Sequence, residues 1–209
     1  MLQQLILMAG IFSFVFSLVY EQKDGVADSP KIIEEMVEAS YGKETAPLTV
    51  VEFASLGCGH CADFHLKTLP KLKVDYIDQG LIRVVFVDFP ISTPALAAAM
   101  IARCSGRERY LGMVDVFFKS QEKWTRADDP LVGLKQVARF GGLSSQDVDS
   151  CLKKKSLLEA IQKTAQNAGE MYKIKSTPSF VINGKTYSGN LPYEKLKTII
   201  DEELERIKE

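Results

Sequence analysis

The residues most able to do chemistry are two cysteines separated by two residues, in the run Cys58-Gly59-His60-Cys61. Two thiols at this spacing can close and open a disulfide between themselves, which is the chemistry of dithiol–disulfide exchange. The same spacing supplies half of a tetrahedral zinc site, which needs two more cysteine or histidine ligands at short spacing. The two histidines do not supply them, because His60 lies inside the motif and His65 follows on the same predicted helix. The motif therefore favours redox chemistry, and no metal is expected.

The elements around the motif place Cys58 where a thiolate is stabilised. Residues 47–55 (PLTVVEFAS) have the apolar, β-branched composition of a buried strand, and a helical pattern runs from Gly59 to about Gln79. The first turn of a helix has unpaired N–H groups and the positive end of the helix dipole, so Cys58 is the expected nucleophile. Cys61, one turn further in, is expected to be more buried and to act as the resolving thiol.

Three polar side chains near the cysteines are further candidates. His60 can lend a positive charge or a hydrogen bond to the Cys58 thiolate and so lower its pKa; a solvated surface histidine is the alternative. Glu52, in an otherwise apolar strand, can accept or relay a thiol proton, or it can be a partnered carboxylate without a redox task. Both interpretations of Glu52 stay open. His65 is predicted to be a partly exposed helix residue, and no role is assigned to it.

The remaining pattern predicts an α/β fold. Residues 81–89 (LIRVVFVDF) resemble a second buried strand, so strand, helix and strand form a βαβ unit with parallel pairing. Helical patterns alone follow as far as about Tyr172, and then come a short hairpin with an Asn183-Gly184 turn and a final helix from Pro192 to about Lys208. The predicted divisions of the folded part are residues 26–93, a helical insertion at 94–171, and 172–209.

The N-terminus predicts export. Residues 1–20 (MLQQLILMAGIFSFVFSLVY) include a long uncharged apolar run that charged residues end abruptly. Residues 1–25 are therefore interpreted as a signal peptide or a membrane anchor with a short leader, and a core helix is the alternative. A helical pattern then covers Pro30 to Ser40.

The overall composition and the other two cysteines narrow the class of protein. The 209 residues carry 26 basic and 27 acidic side chains without a basic cluster, so nucleic acid is not an expected partner. Cys104 and Cys151 are far apart in sequence, which suits either a structural bridge or two buried thiols. The aromatic side chains of Trp124, Phe117 and Phe118 are expected to pack between helices.

Taken together, the run Val51–Cys61, the helical insertion and Thr177-Pro178 resemble the bacterial DsbA family of thiol-disulfide oxidoreductases, over about residues 45–208. The resemblance implies a thioredoxin-like fold with an inserted α-helical subdomain. It also implies a cis peptide bond before Pro178, in a loop that lies against the active-site cysteines and binds the substrate backbone through Thr177. A second, non-catalytic disulfide between Cys104 and Cys151 is implied as well.

The resemblance also implies an activity and its partners. Similar proteins oxidise exported proteins with free cysteines in the bacterial periplasm, and a quinone-linked membrane oxidase (DsbB-like) reoxidises them. No organic or metal cofactor is required, and a monomer is expected. The chain departs from the best-known family pattern at Gly59, where that pattern has proline; the resulting Cys-Gly-His-Cys is the motif of eukaryotic protein disulfide isomerases. We therefore expect an oxidising protein whose strength the motif does not fix.

Two alternatives remain beside the oxidase. A disulfide isomerase or reductase would gain from dimerisation or a reducing partner, and the sequence has no evident separate dimerisation domain. A non-catalytic thioredoxin-like periplasmic chaperone would have no use for His60 or for Thr177-Pro178. The sequence thus favours the oxidase.

Overall fold

The computed structural model describes residues 39–208. The predicted N-terminal segment, residues 1–25, lies outside this range, and so does the predicted helix from Pro30 except for its last two residues. Ser40 belongs to a short edge strand, so the prediction that the helix reaches this residue is wrong. Among the described helices, none combines the length and the apolar character that crossing a membrane requires.

A five-stranded mixed sheet forms the centre of the molecule. Its strands are β1 (Ser40–Tyr41), β2 (Leu48–Ala54), β3 (Ile82–Asp88), β4 (Ser179–Ile182) and β5 (Lys185–Ser188), in the spatial order β1-β3-β2-β4-β5. The pair β2 and β3 is parallel, as the βαβ pattern predicts, and the other neighbouring strands are antiparallel. Strand β2 is the central strand, which explains its nearly continuous burial. In its register, Glu52 lies between Phe86 of β3 and Phe180 of β4.

The crossover from β2 to β3 is the active-site helix, which is not uniformly α-helical. It consists of α1 (Gly59–Asp63), a π-helical turn (Phe64–Thr68), α2 (Leu69–Leu72) and a second π-helical turn (Lys73–Ile77). Pro70 has no N–H to donate to the carbonyl four residues earlier, so a regular α-helix is interrupted here. The sequence predicts the extent of this helix but not its wider turns.

The segment between β3 and β4 contains helices and no strand, as predicted. It contains α3 (Thr93–Cys104), a 3₁₀ turn (Arg107–Arg109), α4 (Tyr110–Lys119), α5 (Gln121–Thr125), α6 (Pro130–Phe140), α7 (Ser145–Leu152) and α8 (Lys155–Tyr172). The Ser144 side chain and the carboxylate of Asp147 cap α7 reciprocally. Trp124, Phe117 and Phe118 are fully buried among these helices, which confirms their predicted packing role.

The last part of the chain returns to the sheet and ends in a helix. Asn183 and Gly184 both have positive φ, 47° and 74°, as a tight two-residue hairpin turn requires. Helix α9 (Tyr193–Lys208) buries Leu196, Ile199 and Ile200 against the sheet and the active-site helix. Ser188 of β5 pairs with Ser179 at the start of β4, so the hairpin holds the loop before β4, and Thr177 in that loop contacts Cys58 at the start of α1.

Candidate active site

Cys58 is the N-cap residue of the active-site helix. Its backbone is extended (φ −91°, ψ 120°), its carbonyl accepts the first helical hydrogen bond from the N–H of Ala62, and its own N–H donates to the Ser55 carbonyl. The thiol donates to the carbonyl oxygen of Thr177 over 3.2 Å. Only 8% of the residue is exposed, so a reacting partner can reach a small part of it. The predicted position at the strand-to-helix junction is confirmed.

The surroundings of Cys58 stabilise its thiolate. Its pKa is lowered from 9.0 to about 5, chiefly by a hydrogen bond from the Cys61 thiol. Burial acts in the opposite direction, while Thr177 and the backbone N–H groups of His60 and Cys61 lower the pKa further. These N–H groups belong to the first turn of α1, where a helix has no internal acceptors for them. Cys58 is therefore a thiolate at neutral pH.

Cys61 has the opposite character. It is completely buried, and burial raises its pKa far above the ordinary range of a thiol. The hydrogen bond with Cys58 and the negative charge of Glu52 act in the same direction. The two sulfurs of the motif thus differ: Cys58 has a stabilised thiolate, and Cys61 keeps its proton.

The Thr177-Pro178 loop lies directly against the cysteines. Its peptide bond is cis, the isomer that the resemblance implies. Thr177 is partly exposed beside the Cys58 thiol, whereas Pro178 is buried and its carbonyl accepts from the N–H of Gly189. The loop therefore places the partly exposed Thr177 next to the Cys58 sulfur and is anchored at Pro178.

His60 and Gly59 form the exposed side of the motif. They line an open groove of ≈ 710 Å³ together with Leu66 on the same helix and Gln121 and Lys123 from α5. The groove has both polar and apolar walls. The His60 ring faces solvent, and the contribution of His60 to the lowered pKa of Cys58 comes from its backbone N–H.

Gln121 is a site residue that the sequence does not reveal. Its side-chain amide donates to the carbonyl of Leu56 over 2.7 Å and to that of Cys58 over 3.0 Å. Gln121 begins α5, so these bonds fasten the helical insertion to the loop that presents the nucleophile. No local pattern marks a glutamine for this task, because both partners lie more than sixty residues earlier in the chain.

Glu52 and His65 form a buried pair behind the cysteines. Glu52 is completely buried, and its Oε2 lies 3.0 Å from Nε2 of His65. The prediction that His65 is partly exposed is wrong: the residue is 6% exposed and its ring stacks on Phe118 with centroids 4.3 Å apart. Burial favours the neutral ring, but the charge of Glu52 and the nearby Asp115 outweigh it and raise the pKa of His65 to about 9. The His65 ring is therefore protonated at neutral pH.

The second cysteine pair lies apart from this site, in the helical insertion. A disulfide joins Cys104 at the end of α3 to Cys151 in α7, with a Cα–Cα distance of 6.0 Å. It packs against Ala99, Met100 and Ile161, and it also borders an open pocket lined by Arg109, Asp147 and Lys154. Within residues 39–208, no group of three or more His, Cys, Asp or Glu side chains converges in a way that could hold a metal ion.

Comparison with known proteins agrees with this geometry. A family model described as thioredoxin matches residues 34–202. A putative protein-disulfide oxidoreductase of Rickettsia felis is 30% identical over 169 residues, which are 80% of this chain and 60% of that protein. The chain thus spans less than two thirds of the length of this relative.

Two further proteins match over most of their own length. A probable disulfide bond formation protein D of Bacillus anthracis is 26% identical over 203 residues, 94% of this chain and 90% of that protein. The crystal structure of Wolbachia pipientis alpha-DsbA1 superposes with a TM-score of 0.75 at 27% identity, covering 82% of this chain and 92% of that one. The fold is therefore thioredoxin-like with an inserted helical subdomain, and the chain belongs to the thioredoxin family, in its DsbA-like branch.

Proposed function

We propose that this protein is a thiol-disulfide oxidoreductase that introduces disulfide bonds into exported proteins through Cys58 and Cys61. The observation that carries the proposal is the contrast between the two thiols, with the pKa of Cys58 lowered to about 5 and that of Cys61 raised. Stabilising the Cys58 thiolate stabilises the reduced form of the pair, so its disulfide is more readily reduced and is a stronger oxidant. A lowered pKa also makes Cys58 a good leaving group.

The exchange proceeds in two displacements. A substrate thiolate attacks Sγ of Cys58 in the enzyme disulfide; the Cys58–Cys61 bond breaks, and Cys61 leaves with the electron pair and takes up a proton. A second substrate thiolate then attacks the substrate sulfur of the mixed disulfide and releases the Cys58 thiolate. Two electrons pass from the substrate dithiol to the enzyme, and the substrate gains one disulfide.

The neighbouring residues have distinct tasks in this scheme. The partly exposed Thr177, next to the buried Pro178, binds the substrate backbone beside the sulfur under attack. His60 lines the open groove. A protonated His60 ring would stabilise the Cys58 thiolate when it is released from the mixed disulfide. Glu52, whose charge raises the pKa of Cys61, accepts and returns the proton of that thiol.

The partners follow from the resemblance and from the site. The substrates are unfolded or folding exported proteins with free cysteines, which the shallow groove beside His60 can accept without a defined sequence. Reoxidation is assigned to a quinone-linked membrane oxidase of the DsbB type. Export to the periplasm rests on the apolar residues 1–20, outside the described part of the chain.

A redox equilibrium tests the oxidase proposal. The full-length protein is equilibrated with glutathione buffers, and oxidation of a dithiol peptide is measured beside the refolding of a protein with scrambled disulfides. We expect an oxidising potential and peptide oxidation much faster than isomerisation. A strongly reducing potential would overturn the oxidase assignment and favour a reductase.

A disulfide isomerase is the second candidate, because Gly59 gives the motif the sequence of that class of enzyme. Isomerisation faster than peptide oxidation would select it. A Cys61→Ala variant separates both enzymes from a non-catalytic chaperone. An oxidoreductase accumulates mixed disulfides through Cys58 in this variant, whereas a chaperone traps no specific partner. A Cys58→Ala/Cys61→Ala double variant is the matched control for disulfides formed through other cysteines.

A further inference from the structure

His65 is a buried side chain that can gain and lose a proton, and the exchange steps described above do not involve it. It lies four residues after Cys61 on the active-site helix, so the two side chains share the face that packs on the sheet. On one side its Nε2 contacts the Glu52 carboxylate over 3.0 Å. On the other side its Nδ1 lies 3.9 Å from Oδ1 of Asp115. The ring therefore stands between a completely buried carboxylate and a partly exposed one.

The two carboxylates beside His65 differ in their access to solvent. Glu52 is completely buried, and its Oε1 accepts no hydrogen bond from residues 39–208. The Asp115 side chain is 41% exposed and accepts a hydrogen bond from the Tyr41 hydroxyl over 3.0 Å. A cavity of ≈ 260 Å³ borders the outer side of His65, and Tyr41, Asp115 and Lys73 are among its lining residues. The imidazole ring thus lies between the buried Glu52 and the partly exposed Asp115, and its Nδ1 makes no hydrogen bond to residues 39–208.

Charged and polar groups from three elements surround the His65 ring. Glu52 comes from β2, Asp115 from α4 and the Tyr41 hydroxyl from β1. Lys73 and Lys119 line the adjoining cavity at its outer side. The charges of Glu52 and Asp115 raise the pKa of the ring to about 9.

The exchange reaction creates a need for such a connection. Cys61 is completely buried, and it must take up a proton each time the enzyme disulfide is reduced and release one each time it reforms. Water has no direct access to this thiol. Glu52 contacts His65, which follows Cys61 by four residues, and the charge of Glu52 raises the pKa of the Cys61 thiol. A buried carboxylate without a positive partner would tend to be neutral and would be a poor proton acceptor.

We infer that His65 is a positioning residue that holds Glu52 as a carboxylate and carries protons between Glu52 and Asp115 at the surface. When the enzyme disulfide is reduced, the Cys61 thiolate takes a proton from the Glu52–His65 pair, and the pair is reprotonated from solvent by way of Asp115. When the disulfide reforms, the thiol proton travels in the opposite direction. This inference rests on the proposed exchange through Cys58 and Cys61.

The resolving step isolates this function. The reduced full-length protein is converted to a glutathione mixed disulfide at Cys58, and the release of glutathione by Cys61 is timed between pH 5 and 10. General acid–base groups contribute about a hundredfold or more to such steps, so we expect His65→Gln to slow release at pH 7 by about tenfold or more. Glutamine keeps a hydrogen-bond donor toward Glu52 but has no proton to give.

The shape of the pH profile distinguishes proton transfer from packing. We expect His65→Gln and Glu52→Gln to change the profile in the same way, and the double variant to be no slower than Glu52→Gln alone. Phe118→Leu is the matched packing control, because it removes the ring that stacks on His65 and leaves the proton-carrying groups; its profile should keep the native shape. A native profile in His65→Gln, or effects that multiply in the double variant, would overturn the inference.

The failure of the inference and that of the proposed role of Glu52 give different results. If Glu52→Gln alters the profile and His65→Gln does not, only the role of His65 is wrong. If neither variant alters it, the role of Glu52 is wrong as well. Should His65→Gln fail to fold, ¹⁵N NMR of the imidazole in the unmodified chain decides: a ring that is neutral at pH 7 in the reduced protein would contradict the relay.

Discussion

The molecule contains two cysteine pairs in opposite settings. Cys58 and Cys61 lie at the junction of the central strand and the active-site helix, where one thiol is strongly acidic and the other is not. Cys104 and Cys151 are separated by 47 positions and form a disulfide between two helices of the insertion. The first pair lies beside helix N–H groups and the Thr177-Pro178 loop, and the second lies between apolar side chains and an open polar pocket.

This contrast shows that position, more than the sulfur itself, determines what a cysteine does. The N-terminus of α1 stabilises negative charge on Cys58, and an open groove lies beside it. The disulfide between α3 and α7 instead restricts the unfolded chain and so lowers its entropy. We therefore propose that the first pair serves exchange and the second serves stability.

The largest expected effect comes from removing the nucleophile. Cys58→Ser should reduce peptide oxidation by about a thousandfold or more, because a serine hydroxyl cannot form the mixed disulfide. The double variant Cys104→Ala/Cys151→Ala is the comparison and should still oxidise the peptide. Loss of activity in the second variant with retention in the first would reverse the roles of the two pairs.

Removing the second disulfide should instead affect stability. In the chain-entropy model, removing a disulfide that closes a loop of 47 positions lowers the free energy of unfolding by about 4 kcal/mol. For a protein of this size that corresponds to a fall in Tm of about 10 °C. Thermal unfolding of the Cys104→Ala/Cys151→Ala variant measures it, and an unchanged Tm would show that this bond does not stabilise the fold.

A smaller effect is expected where the two regions meet, at Gln121. Gln121→Ala removes a donor from the carbonyls of Leu56 and Cys58 and should lower the unfolding free energy by about 1–3 kcal/mol. Urea titration measures this change. Glu122→Gln on the same helix is the control, since it removes only a surface ion pair worth about 1 kcal/mol at most. Equal effects of the two substitutions would show that the hydrogen bonds of Gln121 do not stabilise the site.

Local patterns in the sequence predict much of the fold and of the site. The apolar runs of β2 and β3, the Asn183-Gly184 turn and the insertion without strands all depend on neighbouring residues, and the structure confirms them. The place of Cys58 at a helix start follows from the same kind of pattern. The relative burial of Cys58 and Cys61 follows from their spacing on that helix.

The errors concern contacts between distant segments. His65 has a polar side chain on a helix, and only the assembled fold shows that Glu52 and Phe118 enclose it. Gln121 reaches the nucleophile across 63 positions, a distance that no local pattern encodes. Polar residues that serve a buried site are thus the least predictable part of this sequence, because their partners are set by packing.

The proposed exchange depends on the low pKa of the Cys58 thiol. Alkylation of the reduced protein at graded pH measures this pKa. Because the pKa is lowered on folding, the stabilisation it gives the reduced protein is present above the ordinary thiol pKa of 9.0 and is lost as pH falls toward about 5. We expect the rate of Cys58 alkylation to rise with pH to a plateau, with its midpoint near pH 5. A midpoint near pH 9, the value of an ordinary thiol, would contradict the account.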